Sequence, residues 1–276
     1  MTYKLIIFDL DHTLLREDHT LSETTIDTVG RCQKAGIGVT LATGRRLPSA
    51  LPYARQLGLT LPVITCQGAM LSTLDGQILH QCLMAPALAH QLLARLTRYP
   101  LENIICCHDD QIYATQARPD APDPAGWIAA HPQHTPMPDD LGAVHPLKIG
   151  ASGDPEIIAQ AQADIAAAFG QTVHAVQSSP YFLEITHPQA TKSAAAARLA
   201  QLLAIDPSEI IAFGDSMNDL DLLQFAGCSV AVANAVPAVR SACVHITESN
   251  EQDGVARALK RLLFSTEEDI SPWITD

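Results

Sequence analysis

The residues that could do chemistry fall in four short segments of the sequence. Two of them are acidic and follow apolar runs. Asp9 and Asp11 stand two positions apart, and Asp215, Asn218 and Asp219 lie within five residues of one another. Carboxylate and amide oxygens without softer donors favour Mg²⁺ among the common metal ions. Each segment taken alone is also typical of a solvated turn or a capped helix start, where aspartate is common.

The other two segments could bind a phosphate or another anion. Thr43 supplies a hydroxyl, and Gly44 has no side chain to keep an anion from its backbone N–H. Lys192 is one of only five lysines and stands at a predicted helix start, where a cation is unfavourable unless an anion lies nearby. An ordinary strand-to-helix turn and a solvated lysine remain the alternatives for these two segments.

The elements around these segments alternate between strand and helix. Apolar runs predict strands over residues 4–10, 39–42, 62–66 and 210–215. Helices are predicted from Ser22 to about Ala35 and from Pro48 to Gly58. This alternation indicates βαβ units and a parallel sheet. Because ligands bind outside the carboxyl ends of such strands, the four segments are expected to converge.

The middle of the chain breaks this rhythm and predicts an inserted α+β block. It contains two helices, at residues 86–99 and 155–169, and several short strands that form hairpins. A proline-rich loop between Arg118 and Pro138, with one short helix near Trp127, lies within it. The predicted fold is therefore an α/β, Rossmann-like parallel-sheet core (1–82 and 188–276) with an inserted cap domain (83–187). The acidic residues from Ser265 onward are expected to form a loose tail.

Composition excludes several classes of protein. The chain has 276 residues, 47% of them apolar, and a net charge of −13, which disfavours nucleic acid and anionic membranes as partners. No apolar run reaches about 18 residues, so no membrane span is expected. Seven cysteines without a C-x-x-C pair predict reduced thiols and a cytoplasmic protein. The sequence does not indicate an oligomeric state.

Taken together, the four segments resemble a known family. Asp9–Leu15, Ala42–Arg45, Lys192 and Gly214–Asp219, in this order, are similar to the motifs of the haloacid dehalogenase superfamily, in its Cof-like phosphatase branch. The later runs Ala231–Ala235 and Asn250–Val255 also resemble that branch. The likeness spans nearly the whole core, and the family's inserted cap accounts for the middle block.

The resemblance implies a Mg²⁺-dependent phosphatase that hydrolyses small phosphorylated metabolites, such as sugar phosphates. Asp9 would be the nucleophile, and Asp11 would act as general acid and then as base. The metal would be held by Asp9, Asp215 and the backbone carbonyl of Asp11. The remaining expected site residues hold the phosphoryl oxygens (Leu10, Thr43, Gly44, Lys192 and Asn218) or support these groups (Asp219 and Arg45).

Two residues depart from the family pattern, and two other functions remain possible. His12 stands where the family commonly has glycine, and Gln67 stands where it often has asparagine. Neither departure removes a predicted catalytic group, so both bear on fine specificity. A phosphomutase with the same nucleophile is one alternative. A non-catalytic protein that binds a metabolite in the same pocket is the other.

Overall fold

A computed structural model describes residues 3–108, 111–115, 135–138, 142–264 and 273–274. The chain forms two compact units. The first combines Met1–His80 with Thr191–Asp276, and the second is Gln81–Ala190. The boundaries predicted from sequence differ from these by two or three residues.

The first unit is built on a five-stranded parallel sheet in the order β14-β13-β12-β1-β2. Its strands, numbered along the chain, are β1 (Leu5–Phe8), β2 (Gly38–Leu41), β12 (Ile210–Gly214), β13 (Cys228–Val232) and β14 (His245–Thr247). Nearly every residue in the central strands is buried, which explains why they are continuous apolar runs rather than alternating ones. Phe8 and Phe213 are partners in the β1–β12 register, and their rings lie 5.2 Å apart just before the strands end.

Six α-helices lie among the described residues of this unit. They are α1 (Glu23–Lys34), α2 (Leu47–Gln56), α5 (Lys192–Leu203), α6 (Leu220–Phe225), α7 (Pro237–Ala242) and α8 (Gly254–Leu263). The predicted start of α1 is confirmed, because Ser22 is its N-cap and its hydroxyl accepts a hydrogen bond from the Thr25 N–H at 3.0 Å. Gly36, at φ 84°, follows the end of this helix, in agreement with the predicted end.

The third predicted strand has a different role from the one expected. Instead of extending the parallel sheet, β3 (Val63–Thr65) joins β4 (Met70–Ser72) and β5 (Ile78–Gln81) in a separate three-stranded sheet. This strand also contacts the segment that follows β2, through a parallel bridge between Ala42 and Ile64 and a hydrogen bond from the Thr43 N–H to the Ile64 carbonyl at 3.0 Å. The reason is local, because the chain reverses direction directly after Thr65 and β4 pairs antiparallel with β3.

The second unit contains a six-stranded sheet in the order β10-β11-β9-β6-β7-β8. Its strands are β6 (Asn103–His108), β7 (Gln111–Ala114), β8 (Thr135–Pro136), β9 (Lys148–Ser152), β10 (His174–Ser179) and β11 (Phe182–Thr186). Among the described residues of this sheet, β7 pairs parallel with β8 and the other pairings are antiparallel. Two helices, α3 (Pro86–Leu96) and α4 (Pro155–Phe169), pack on the sheet through a shared apolar core. The predicted α/β fold class, a parallel core with an additional α+β unit, is confirmed.

Two predicted features lie outside the described residues. They are the short helix near Trp127 with most of its proline-rich loop, and most of the tail from Ser265. All seven cysteines are described, and none forms a disulfide. Among the described helices, none combines the length and the apolar character that crossing a membrane requires.

Candidate active site

The strand ends carry the predicted site residues to one edge of the parallel sheet. Asp9 follows β1, Thr43 follows β2 and Asp215 follows β12, and these three strands are neighbours. The Asp9 N–H still bonds the carbonyl of Phe213 at 3.0 Å, so the backbone of Asp9 is fixed by the sheet itself. The convergence expected from the alternating elements is therefore present in the structure.

Lys192 lies between two carboxylates. Its ammonium group donates to Asp9 Oδ1 and to Asp219 Oδ1, each at 2.5 Å, and its side chain has no exposed surface. Burial lowers the pKa of Lys192, but the charges of Asp219 and Asp9 outweigh burial and leave that pKa raised. Lys192 is thus held as a cation beside Asp9, although it occupies the first turn of α5.

Asp219 also holds the chain that carries Asp215. Its Oδ2 accepts hydrogen bonds from the backbone N–H groups of Asp215 and Ser216, at 3.1 and 3.2 Å. The helix cap is therefore Ser216, with Asp219 three residues later completing a capping box. Gly214 makes this approach possible, because a Cβ built on it would lie 2.5 Å from Cβ of Asp219.

The carboxylates at this edge are crowded and buried. Oxygens of Asp9, Asp215 and Asp219 all lie within 4.8 Å of one another. Burial, the charge of Asp219 and that of Asp215 raise the pKa of Asp9 well above its usual range, although Lys192 opposes them. Burial and Asp219 likewise raise the pKa of Asp215 to about 8, while the Thr13 hydroxyl bonds Asp215 Oδ1 at 2.7 Å and opposes the shift.

This donor set fits a divalent metal ion. Three carboxylates lie close together with one lysine, and burial together with the repulsion of Asp219 raises the pKa of Asp9 and of Asp215. A bound cation would offset both effects. Hard carboxylate oxygens suit Mg²⁺ and similar ions. The residues that the sequence predicted as carboxylate ligands, Asp9 and Asp215, belong to this group.

Asp11 lies apart from that group and is paired with Arg45. The Arg45 guanidinium donates to both Asp11 oxygens, at 2.8 and 2.5 Å, and lies 5.0 Å from the centre of the Tyr53 ring. Burial raises the pKa of Asp11, but the hydrogen bonds and charge of Arg45, together with His12 and His19, outweigh burial and leave that pKa lowered. Asp11 is therefore held as a carboxylate.

The remaining predicted residues surround this edge. The side chains of Leu10 and Thr43 are buried, and the Thr43 hydroxyl accepts a hydrogen bond from the Arg45 N–H at 3.1 Å. Gly44 lies between Thr43 and Arg45 in the same loop. Asn218 lies in the short 3-10 turn that contains Asp219, and its Nδ2 donates to Gln67 Oε1 at 3.1 Å. All ten predicted site residues belong to the first unit.

The sequence did not predict that two asparagines, Asn234 and Asn250, hold the backbone of the Asp9–Leu15 loop. His12 adopts a left-handed conformation, with φ 59°, and its carbonyl accepts from Asn234 Nδ2 at 2.7 Å. Asn250 donates its backbone N–H to Asn234 Oδ1 at 3.1 Å and its side chain to the Leu15 carbonyl at 2.9 Å. The signal in the sequence was the resemblance of the two later runs, which contain these asparagines.

Comparisons with known proteins agree with this arrangement. The sequence profile of the haloacid dehalogenase-like hydrolases matches residues 6–259. The 5-amino-6-(5-phospho-D-ribitylamino)uracil phosphatase YitU of Bacillus subtilis is 30% identical over 265 residues, covering 93% of this chain and 96% of YitU. The HMP-PP phosphatase of Escherichia coli O6:H1 is 30% identical over 248 residues, covering 88% of this chain and 89% of its own. A solved haloacid dehalogenase-like hydrolase from B. subtilis superposes with a TM-score of 0.82 at 25% identity, covering 94% of this chain and 100% of its own.

The parallel core, the additional sheet unit and these similarities define an α/β hydrolytic enzyme. The chain belongs to the haloacid dehalogenase-like hydrolase family. The resemblance inferred from the four sequence segments is therefore confirmed, and so is the expectation of a hydrolase whose relatives include phosphatases.

Proposed function

We propose that this protein is a Mg²⁺-dependent phosphatase that hydrolyses small phosphorylated metabolites through an aspartyl-phosphate at Asp9. The observation that carries the proposal is the buried Lys192, which bonds both Asp9 and Asp219 next to Asp215. Phosphoryl transfer depends mainly on positioning and on neutralising charge, and this arrangement is suited to both.

Asp9 would attack the phosphorus atom as a carboxylate. A P–O bond to Asp9 forms, and the P–O bond to the leaving group breaks. Lys192 supports this role because it bonds Asp9 Oδ1 and favours the ionised form. Lys192 with Thr43, Asn218 and the backbone at Leu10 and Gly44 would hold the phosphoryl oxygens.

Asp11 would move the protons in both steps. It gives a proton to the leaving oxygen and then takes one from the water that attacks the aspartyl-phosphate. Its pairing with Arg45 keeps it ionised, which suits the second step. For the first step, the pairing must loosen when the substrate binds, so that Asp11 can carry a proton.

Asp9, Asp215 and the Asp11 carbonyl would hold the metal ion. When bound, Mg²⁺ supplies positive charge that favours ionised carboxylates and stabilises the charge on the transferring phosphoryl group. Asp219 would support the site by bonding Lys192 and the backbone of residues 215 and 216.

The substrate class rests on the relatives. The names of YitU and of the E. coli protein describe phosphatases of phosphorylated compounds, one of them a phosphorylated ribitylaminouracil. We propose that residues 83–187 form a cap that selects a sugar phosphate or similar metabolite. The seven cysteines without disulfides support a cytoplasmic location, and the net charge of −13 disfavours nucleic acid as a partner.

Turnover of a generic aryl phosphate tests this function. Wild type should hydrolyse it with Mg²⁺ and lose activity in EDTA, and Asp9→Asn should lower turnover by about 10³-fold or more. Asp27→Asn, a change of the same type at an exposed position of α1, should leave turnover unchanged. A requirement for a sugar bisphosphate would indicate a phosphomutase. Metal and phosphate binding without turnover would indicate a binding protein.

A further inference from the structure

The turn after β3, residues Cys66–Gly68, has an unusual backbone. Its three residues have φ values of 51°, 59° and 91°, all in the left-handed region. Cys66 and Gln67 are not glycines, and such conformations are unfavourable for residues with a side chain, so they persist only where the surroundings hold them in place. In this protein the surroundings are the proposed phosphate-binding segments.

The backbone of the turn bonds the loop that follows β2. The Cys66 N–H donates to the Arg45 carbonyl at 2.9 Å, and the Gln67 N–H donates to the Thr43 carbonyl at 3.1 Å. These two bonds fix the position of the turn relative to Thr43 and Arg45, the residues that respectively precede and follow Gly44 in that loop.

The turn also lies directly against the start of α5. A Cβ built on Gly68 would lie 2.1 Å from the Thr191 carbonyl oxygen and 2.9 Å from the Lys192 N atom. No residue with a side chain fits at position 68 unless this helix start moves. The close packing against Gly68 therefore fixes the backbone position of Lys192 at the start of α5.

The side chain of Gln67 reaches the remaining segment. It is buried, with 2% of its surface exposed, and its Oε1 accepts from Asn218 Nδ2 at 3.1 Å. The Ser216 hydroxyl donates to Asn218 Oδ1 at 2.6 Å. With its oxygen and one N–H engaged, the Asn218 amide is fixed in orientation. In the function proposed above, its second N–H would donate to a phosphoryl oxygen.

We propose that Gln67 is a positioning residue that acts through Asn218 to set the phosphate-binding geometry. This inference rests on the proposed function, because it assigns Asn218 to the phosphoryl group. Gln67 holds the amide without touching the substrate. The left-handed turn brings the side chain of Gln67 to Asn218, while its backbone contacts the Thr43 loop and the start of α5.

A double-mutant cycle with inorganic phosphate as the probe tests this. Calorimetry in the presence of Mg²⁺ gives the phosphate Kd of wild type, Gln67→Met, Asn218→Ala and the double variant. Met has nearly the length of Gln, and its thioether sulfur is only a weak acceptor in place of the amide oxygen. Gln67→Met should weaken phosphate binding about three- to tenfold, and should change it less than about twofold when Asn218 is already alanine.

Gln67→Gly provides a second variant that relieves the backbone strain instead of adding to it. It should weaken phosphate binding as much as Gln67→Met does. The thermal unfolding midpoints of both variants are measured alongside, so that a loss of binding is separated from a loss of stability. Equal losses in both Asn218 backgrounds, or no loss in either single Gln67 variant, would overturn the positioning role. Aryl phosphate turnover is measured in parallel. Phosphate binding without turnover would reject the proposed function alone, whereas no phosphate binding by wild type would reject both proposals.

Discussion

At the scale of single residues, the candidate active site depends on how a few buried charges are balanced. Lys192 is buried between Asp9 and Asp219, and Arg45 is bonded to both oxygens of Asp11. Breaking a buried ion pair leaves a charge without a partner, which costs more than the pair itself contributes. Removing a single charged group from the site should therefore change both the free energy of unfolding and the turnover strongly.

Lys192→Met removes the cation and keeps an unbranched side chain of similar length. The free energy of unfolding should fall by about 3–5 kcal/mol, because Asp9 and Asp219 then lack their buried partner. Aryl phosphate turnover should fall by about 100-fold or more. Lys4→Met, where the lysine is exposed and bonds Glu209 at 2.7 Å, should change stability by less than about 1 kcal/mol and leave turnover unaffected. Denaturant titration measures the free energy of unfolding. If both this free energy and the turnover of Lys192→Met stay near wild-type values, Lys192 does not have the proposed role.

Asp215→Asn removes one of the crowded carboxyl groups. Folding raises the pKa of Asp215 from 3.8 to about 8, so between these values the folded protein binds more protons than the unfolded one. This group therefore lowers the free energy of unfolding as pH rises through that window. In EDTA at pH 8, the variant should be more stable than wild type by about 1 kcal/mol or more, and the difference should shrink toward pH 5.

Metal ions provide the matching control for this prediction. Mg²⁺ should stabilise wild type at pH 8 and stabilise Asp215→Asn much less, because one carboxylate ligand is gone. Denaturation curves at several pH values, with Mg²⁺ and with EDTA, measure both effects. A variant that is less stable than wild type at pH 8 in EDTA would contradict the crowding argument.

At the scale of elements, the sequence predicts local structure well where apolar periodicity and capping agree. Ser22 begins α1, Pro48 lies in the first turn of α2, and α4 has the predicted bounds Pro155–Phe169. The strand β3 was correctly located, and it bridges Ala42 in parallel, but its main pairing is with β4 in a separate sheet. An apolar run does not indicate which strand it pairs with.

In the candidate site too, some features could be predicted from the sequence and others could not. Asp9, Thr43 and Asp215 could be predicted because a residue at the end of a parallel strand has a defined place. The pairing of Asp11 with Arg45 and the bond from Asn218 to Gln67 could not be predicted, since they join residues 34 and 151 positions apart. Such contacts follow from packing between distant segments, which one sequence does not reveal.

Gly214→Ala tests how closely the end of β12 must pack against Asp219. The added Cβ would lie 2.5 Å from Cβ of Asp219, so the turn after β12 must shift and carry Asp219 away from Lys192. We expect a loss of about 1–3 kcal/mol in the free energy of unfolding and at least a tenfold loss of turnover. Gly30→Ala in α1, where the Cβ meets nothing within 4 Å, should be neutral or stabilising by up to about 1 kcal/mol. Equal stability and turnover in the two variants would contradict the argument.

At the scale of the whole molecule, the predicted site residues are distributed unequally between the two units. Every predicted site residue lies in the first unit, whereas the second unit has its own sheet and core. Mg²⁺ alone should therefore slow amide hydrogen exchange around residues 9–15 and 215–219. The strands β6, β9 and β11 should exchange as they do without metal. Protection centred on the second unit, or unchanged by Asp215→Asn, would contradict this assignment.

Chemical trapping of the intermediate at Asp9 tests the proposed mechanism most directly. Wild type turning over an aryl phosphate with Mg²⁺ is quenched with borohydride, which reduces an aspartyl-phosphate to homoserine, and the peptide that contains residue 9 is sequenced by mass spectrometry. Homoserine should occur at position 9 with substrate and Mg²⁺, and should be absent in EDTA and in Asp9→Asn. Active enzyme that yields no homoserine at position 9, or turnover that survives in Asp9→Asn, would contradict the mechanism.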